Sequence, residues 1–256
     1  MSGQLFVGTS GFAYPEWKPE FYPADLKNDA MLGYFSERLP SVEINYTFYR
    51  EPSQKTIETW SSRTPESFKF ALKANRKITH ERRLGDVDDV LSRFLTTAEQ
   101  LGSRLGPILF QCPPSLKYDA ELLDAFLARL PGGDMPGAGS FKFAMEFRNT
   151  TWESNEVYKK LGAGGVAWCV SDTDERDAPM QRTAKDFAYL RLRKLDYGDD
   201  ALKKWAGEVS ALLDEGADAF VYFKHEDTAS GALFAMKFRE MVGTTPEAIS
   251  ETETNF

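Results

Sequence analysis

The sequence predicts an α/β protein, a single-domain (β/α)8 TIM-like barrel. Three observations point there. Eight short apolar runs are rich in Val, Ile, Phe and Tyr, which suits strands. Helical patterns lie between most of them. The chain of 256 residues divides into eight units of about 32 residues each, the arithmetic of a closed parallel barrel with right-handed crossovers.

The strand candidates, in order, are Leu5 to Val7, Val42 to Ile44, Phe68 to Leu72, Ile108 to Phe110, Phe141 to Met145, Val166 to Val170, Phe187 to Leu192 and Ala219 to Phe223. Short helices are expected over Ala30 to Leu39, Gln54 to Trp60 and Asn155 to Leu161, the last stopping at Gly162. Val87, Val90, Leu91, Phe94, Leu95, Ala98 and Leu101 make one apolar face, with Asp86 as its expected N-cap and Gly102 as its stop. Leu122 to Leu130 repeats the pattern between Asp119 and Pro131. Leu202 to Leu213 does so before Gly216, and Leu233 to Val242 before Gly243. The unit after the sixth strand breaks the rule. Ser171 to Asp186 is polar and has no apolar face, so its helix is expected to be missing or degenerate.

No linker splits the chain, which reads as one domain over 1–243 followed by a polar, acidic tail over 244–256. Pro131 to Ser140, with four Gly and two Pro, reads as an outer loop. An open, doubly wound sheet is disfavoured because Gly8-Thr9-Ser10-Gly11 lacks the phosphate-loop pattern of three spaced glycines.

Composition narrows the function. An apolar content of 42% with 27% charged residues excludes general disorder. Two cysteines, Cys112 and Cys169, cannot make a disulfide scaffold, and neither has close Cys or His neighbours for zinc. The absence of a basic-then-apolar leader and of an apolar run near 20 residues predicts a soluble, cytoplasmic protein with no membrane partner. A net charge of −8 disfavours nucleic acid as a partner.

Barrel chemistry sits where strands end. There the sequence places Glu43 and Asn45, Lys73, Gln111, Glu146 and Arg148, Asp172, and Arg191 with Arg193. Residues two apart on a strand share a face, so three acids and several bases are expected to meet at one mouth. Glu43, Glu146 and Asp172 are the catalytic candidates, as general acid and base. Lys73, Arg148 and Arg191 suit an anion clamp. Asn45, Gln111 and His80 complete a polar lining, and Tyr14, Trp17, Tyr49 and Trp152 are ring-bearing residues able to stack on a sugar or base.

Each has a plainer reading. Paired charges inside a barrel can serve packing alone, histidines on loops are usually solvated, and tryptophans plug loops as often as they touch ligands. A two-histidine metal site using His80 and His225 is conceivable, but no spacing motif supports it, so neither metal nor cofactor is expected.

These residues also carry a resemblance. Gly8-Thr9-Ser10-Gly11 with Tyr14, Trp17 and Phe21-Tyr22-Pro23, then Val42-Glu43-Ile44-Asn45 with Thr47-Phe48-Tyr49-Arg50, resemble the YecE-like family of unknown function, domain of unknown function seventy-two. Lys73 with Ile78-Thr79-His80, Phe110-Gln111 with Pro113-Pro114, Glu146-Phe147-Arg148 with Trp152, then Asp172 and Arg191, continue the series in order. The resemblance implies a TIM-like barrel and leaves the reaction open. This chain departs from the family pattern at Asn149, Arg193, Lys224 and His225. The family has His at the first, His and Gly soon after the seventh-strand Arg, and two Asn after the eighth strand.

The expected function is that of an enzyme of hydrolase type acting on a small polar, anionic or sugar-like substrate. A non-catalytic ligand-binding barrel and a metal-dependent hydrolase or isomerase are the alternatives.

Overall fold

The computed structural model describes residues 2–131, 141–224 and 227–243. Eight parallel strands close into a barrel in sequence order. They are β1 (Leu5–Ser10), β2 (Ser41–Ile44), β3 (Lys69–Lys73), β4 (Leu105–Gln111), β5 (Phe143–Glu146), β6 (Ala167–Asp172), β7 (Phe187–Leu192) and β8 (Asp218–Phe223). Pairing of β1 with β8, from Leu5 opposite Ala219 to Thr9 opposite Phe223, shuts the ring. The single-domain barrel read from the spacing is therefore what the chain forms.

Among the described residues seven α-helices wrap it: α1 (Met31–Ser36), α2 (Gln54–Ser62), α3 (Asp88–Glu99), α4 (Ala120–Leu127), α5 (Asn155–Ala163), α6 (Asp199–Asp214) and α7 (Ser230–Gly243). No helix lies between β6 and β7, where Thr173 and Arg176 instead make an isolated bridge. That polar segment has no apolar face to bury, so a helix there would gain nothing from packing. Asp119 caps α4 through the Leu122 amide, as its position predicts. Asp86 does not cap α3. It sits at φ 48° in the preceding turn, and α3 starts from Val87 with no side-chain cap. Gly162 stays inside α5, whose end comes at Gly164 and Gly165. A Cβ at Gly162 would lie 3.0 Å from the Thr183 carbonyl oxygen, so close approach to the β6–β7 segment explains that glycine better than a helix stop.

Strand alternation sorts the core into two compartments. Val7, Val42, Phe70, Leu72, Ile108, Phe110, Met145, Val170, Leu190 and Val221 point outward and pack with the helices. Phe6, Ala71, Leu109, Ala144, Ala167, Cys169, Phe187, Tyr189, Phe220 and Tyr222 fill the interior. The filling changes from the strand starts to the strand ends. At the bottom Phe6 stacks on Phe220 at 4.7 Å, with Phe187 edge-on at 6.1 Å. The next inward positions on β7 and β8 are Tyr189 and Tyr222, whose rings sit 5.3 Å apart. Gly8 lets β1 press against β2 at that level, because a Cβ there would meet the Ser41 carbonyl oxygen at 1.7 Å. Above the tyrosines the inward positions become Ser10, Glu43, Lys73, Gln111, Glu146 and Arg191. The barrel thus runs from hydrocarbon through phenol to charge, and the charge comes at the end where barrel sites form.

The loop of residues 132–140, the tail of 244–256 and His225 fall outside the described residues. Among the described helices none is long and apolar enough to cross a membrane.

Candidate functional site

Arg191 is the centre of the mouth. Its Nη2 donates to Glu43 Oε1 at 2.9 Å and its Nη1 to Glu146 Oε2 at 2.5 Å. All three side chains are almost wholly shielded from solvent. β2, β5 and β7 are not neighbours in the ring, so the guanidinium ties together three separate sectors of the barrel. Glu43 is saturated from other sides as well. Ser10 Oγ donates to Oε1 at 2.6 Å, and the Tyr189 phenol donates to Oε2 at 2.7 Å.

Glu146 gathers donors in the same way. Gln111 Nε2 reaches Oε2 at 2.8 Å, while Arg148 Nε and Arg193 Nη1 both approach Oε1, at 3.2 and 3.3 Å. Burial alone would raise the Glu146 carboxyl. Arg191, Arg148 and Arg193 overcome that penalty and hold it down at about 2. Above it opens a pocket of about 510 Å³, lined by Glu146, Arg148, Ser171, Thr173, Arg176 and Arg193 among others. Arg148 and Arg193 thus have one edge on a carboxylate oxygen they share and line the open cavity as well. Arg193 Nε is buried there with no partner among the described residues, and so is Arg191 Nε.

Lys73 reaches the mouth from β3. Thr47 Oγ1 donates to its carbonyl oxygen at 2.7 Å and pins that strand end. Its ammonium lies over the Phe48 ring, 4.1 Å from the centroid. Among the described residues the Lys73 amine has neither an ion-pair partner nor a hydrogen-bond acceptor. Burial first, then Arg191 and Arg148, push it down to about 8, and the carboxylates of Glu43 and Glu146 offset only part of this.

The other expected site residues divide. Gln111 joins the cluster. Asn45, just past the end of β2, has its Oδ1 buried with no partner among the described residues, beside a second cleft of about 360 Å³ lined by Tyr14, Asn45, Tyr46, Arg50 and Trp60 among others. Tyr14 borders that cleft while its hydroxyl donates to the Ser10 carbonyl at 3.0 Å. His80 pairs its Nδ1 with Thr79 Oγ1 at 2.8 Å and sets its ring edge-on to Phe48. Burial, with Lys73, Arg148 and Arg76 nearby, lowers its pKa. Tyr49 is 70% exposed and touches only the rim through Phe48.

Three expectations need correcting. Asp172 is turned away from the mouth, because it follows inward Ser171 and so faces the helices. There its Oδ2 accepts from the Tyr197 hydroxyl at 3.0 Å and Trp205 Nε1 at 3.3 Å, with Lys194 3.5 Å from Oδ1. Trp17 is fully buried among Tyr14, Phe21 and Tyr22. Trp152 is fully buried too, stacked on Phe147 at 4.1 Å, with Nε1 donating to the Leu116 carbonyl at 2.8 Å. Both plug loops, and neither lines the pocket above Glu146 or the cleft beside Asn45.

Ser10 and Tyr189 are not among the expected site residues, and Arg193, expected at the strand end, is assigned no role there by the sequence. The signal for Arg193 was its spacing of two from Arg191, which puts both on one face. Tyr189 extends the same series by two but reads as an ordinary strand aromatic. Asn149, one of the departures, is a turn cap. Its Nδ2 donates to the Pro114 carbonyl at 2.7 Å and its Oδ1 accepts from the Thr151 amide at 3.1 Å. Among the described residues no three His, Cys, Asp or Glu side chains converge as a metal site would require.

Comparison with known proteins gives a consistent placement. The UPF0759 protein YunF of Bacillus subtilis is 22% identical over 271 residues, spanning 89% of this chain and 91% of that protein. The UPF0759 protein YecE of Escherichia coli K12 is 25% identical over 146 residues, covering 57% of this chain and 48% of that protein. Among solved structures, a DUF72 family protein from Thermotoga maritima superposes with a TM-score of 0.80 at 26% identity, covering 94% of this chain and 99% of that one. One from Enterococcus faecalis gives 0.74 at 16% identity and shares the fold, covering 94% and 98%. The sequence profile described as protein of unknown function DUF72 matches residues 6–255, nearly the whole length. With its barrel, its strand-end motifs and that match, this chain belongs to the DUF72 family.

Proposed function

We propose that the barrel mouth binds a small anionic substrate and is the seat of an enzymatic reaction on it. One observation carries this reading: cationic groups outnumber carboxylates where β2 to β7 end. Among the described residues Lys73, Arg148, Arg191 and Arg193 surround the carboxylates of Glu43 and Glu146, while Arg176 and Glu175 line the same pocket. The excess stands out in a chain whose net charge is −8. Buried charge is costly unless paired or used, and the partly exposed side chains of Arg148 and Arg193 line the cavity of about 510 Å³ at the mouth. A carboxylate or phosphate seated there would complete both guanidiniums with charge-assisted, bidentate contacts.

In this reading Glu43 and Glu146 are fixed counter-charges and not the acid and base. Glu146, held at about 2, is deprotonated at neutral pH and a poor proton acceptor, and both oxygens of Glu43 are occupied by Ser10, Tyr189 and Arg191. Glycoside hydrolysis by paired carboxylates wants two groups free on either side of a bond. Here one guanidinium spans both, which weighs against that class.

The test is thermal unfolding with oxalate, inorganic phosphate and neutral sugars. Oxalate or phosphate at 100 times its dissociation constant is expected to add about 2.7 kcal/mol of stability, with no effect from the sugars. R148Q and R193Q should each weaken the response at least about tenfold. Equal shifts in wild type and both variants would overturn the reading.

A further inference from the structure

Among the described residues, Lys73 is a charged group of the mouth that the network around Glu43 and Glu146 does not use. Glu43 and Glu146 are saturated by Ser10, Tyr189, Gln111 and the three arginines. Lys73 is left with the face of Phe48 and, among the described residues, no acceptor. An ordinary structural lysine pairs with a carboxylate or snorkels into water. This one is half-buried at an inward strand-end position, beside guanidiniums that already hold the carboxylates.

Resting on the anionic-substrate reading above, we propose that Lys73 forms an imine with the carbonyl group of a small aldehyde or oxo-acid, whose anionic end Arg148 and Arg193 hold. The neutral amine attacks the carbonyl carbon. A carbon–nitrogen bond forms, and the π pair moves to the oxygen, which takes a proton from nitrogen to give a carbinolamine. The oxygen then leaves as water, carrying that proton and one from solvent, and the nitrogen lone pair closes the protonated imine. No oxidant or reductant is required. Activated lysines of this kind are desolvated or set beside other cations, and Lys73 is both. The groups that face it are Arg191 from β7, Glu43 from β2, Glu146 from β5 and Arg148 just beyond it, and His80 and Phe48 from the segments after β3 and β2. An amine near 8 is about half neutral at pH 8, against roughly one part in 250 for an ordinary lysine. A less basic amine is also a weaker nucleophile, so the net advantage expected is about tenfold.

The test uses the whole chain with two probes, glyoxylate, an aldehyde bearing a carboxylate, and acetaldehyde, which bears none. Each is incubated with the protein from pH 6 to 10, the imine is reduced with cyanoborohydride, and the sites are mapped by peptide mass spectrometry. Exposed Lys55 and Lys159 serve as internal references. The expected result is a reduced glyoxylate adduct at Lys73, formed at least about tenfold faster than at the references, rising through about pH 8. Oxalate should compete, and R193Q should slow trapping of glyoxylate but not of acetaldehyde. If oxalate binds yet Lys73 is trapped no faster than Lys55 and Lys159, the imine proposal fails and the anion-binding reading stands. If Lys73 is trapped equally fast by both aldehydes and oxalate does not compete, the anionic substrate is overturned together with the reading beneath it.

Discussion

Tyr189 and Glu43, 146 residues apart in sequence, meet across the barrel interior, where the phenol donates to the Glu43 carboxylate at 2.7 Å. Tyr189 sits one inward position below Arg191 on β7, so one strand supplies Glu43 with both a neutral and a charged donor. Burial, reinforced by Glu43, pushes the Tyr189 phenol well above its ordinary pKa, which keeps it a donor at every accessible pH. Y189F removes that hydrogen and little else. It should cost about 1–3 kcal/mol, the penalty for stranding a buried charged acceptor. Calorimetry should show a Tm lower by several degrees, and an unchanged Tm would mean Glu43 finds water in the phenol's place.

The pairing of Arg191 with two carboxylates predicts a larger effect. R191M leaves Glu43 and Glu146 facing each other without their shared guanidinium. Breaking a buried pair from one side costs about 3–5 kcal/mol, and here two partners lose it. Replacing all three, as E43Q/E146Q/R191M, should recover much of the loss, since an uncharged interior escapes the desolvation penalty. Chemical denaturation of the single and triple variants separates the terms. A triple variant no more stable than R191M would contradict this accounting.

Acid should expose Glu146. Its folded pKa, near 2, lies below the unfolded value near 4.5, so the unfolded chain binds more protons between those limits. The stability it contributes is fully present above about pH 4.5 and is lost as pH falls toward 2, with a total on the order of 3 kcal/mol. E146Q should lie below wild type at pH 6, and the gap should shrink steadily as pH falls and nearly close at about pH 2. Parallel stability curves for the two proteins would refute the assignment.

Lys73 contributes to stability at neutral pH with the opposite sign, as a cost, though it too makes stability rise with pH. Its folded pKa is lowered, first by burial and then by Arg191, so the folded protein disfavours its charge. Between about pH 8 and 10.5 the unfolded chain holds more protons, and this group makes stability rise with pH. K73M should therefore unfold at a higher temperature than wild type at pH 7, with the gap closing by pH 10. A protein that retains a destabilising amine at its mouth fits a stability cost retained for function. A lower Tm for K73M at pH 7 would place the lysine among the structural charges.

Asp172 offers a control. Its partners Tyr197, Trp205 and Lys194 all lie on the helix side of the barrel. D172A should lower the Tm by several degrees while the oxalate response stays within about twofold of wild type, as expected for a change remote from the pocket. A lost anion response with the Tm intact would return Asp172 to the mouth.

The sequence by itself determined the architecture and part of the membership of the mouth. Eight β-rich runs at near-constant spacing admit few closed arrangements, and the missing helix before β7 was visible as a segment without an apolar face. Period-two spacing put Glu43, Glu146 with Arg148, and Arg191 with Arg193 at strand ends. It did not determine which way each strand end turns. A one-residue shift in where β6 ends decides whether Asp172 or Ser171 faces inward, and the polar run after Val170 carries no alternation to settle it. Burial of Trp17 and Trp152 was hidden for a related reason, since loop aromatics have no period. Only the tertiary structure decided how the charges pair. Arg191 gathers carboxylates from β2 and β5, strands far from it in sequence and not adjacent to each other in the ring, while Lys73 is left over. Such pairings depend on distances across the barrel, which closure sets and no local pattern encodes.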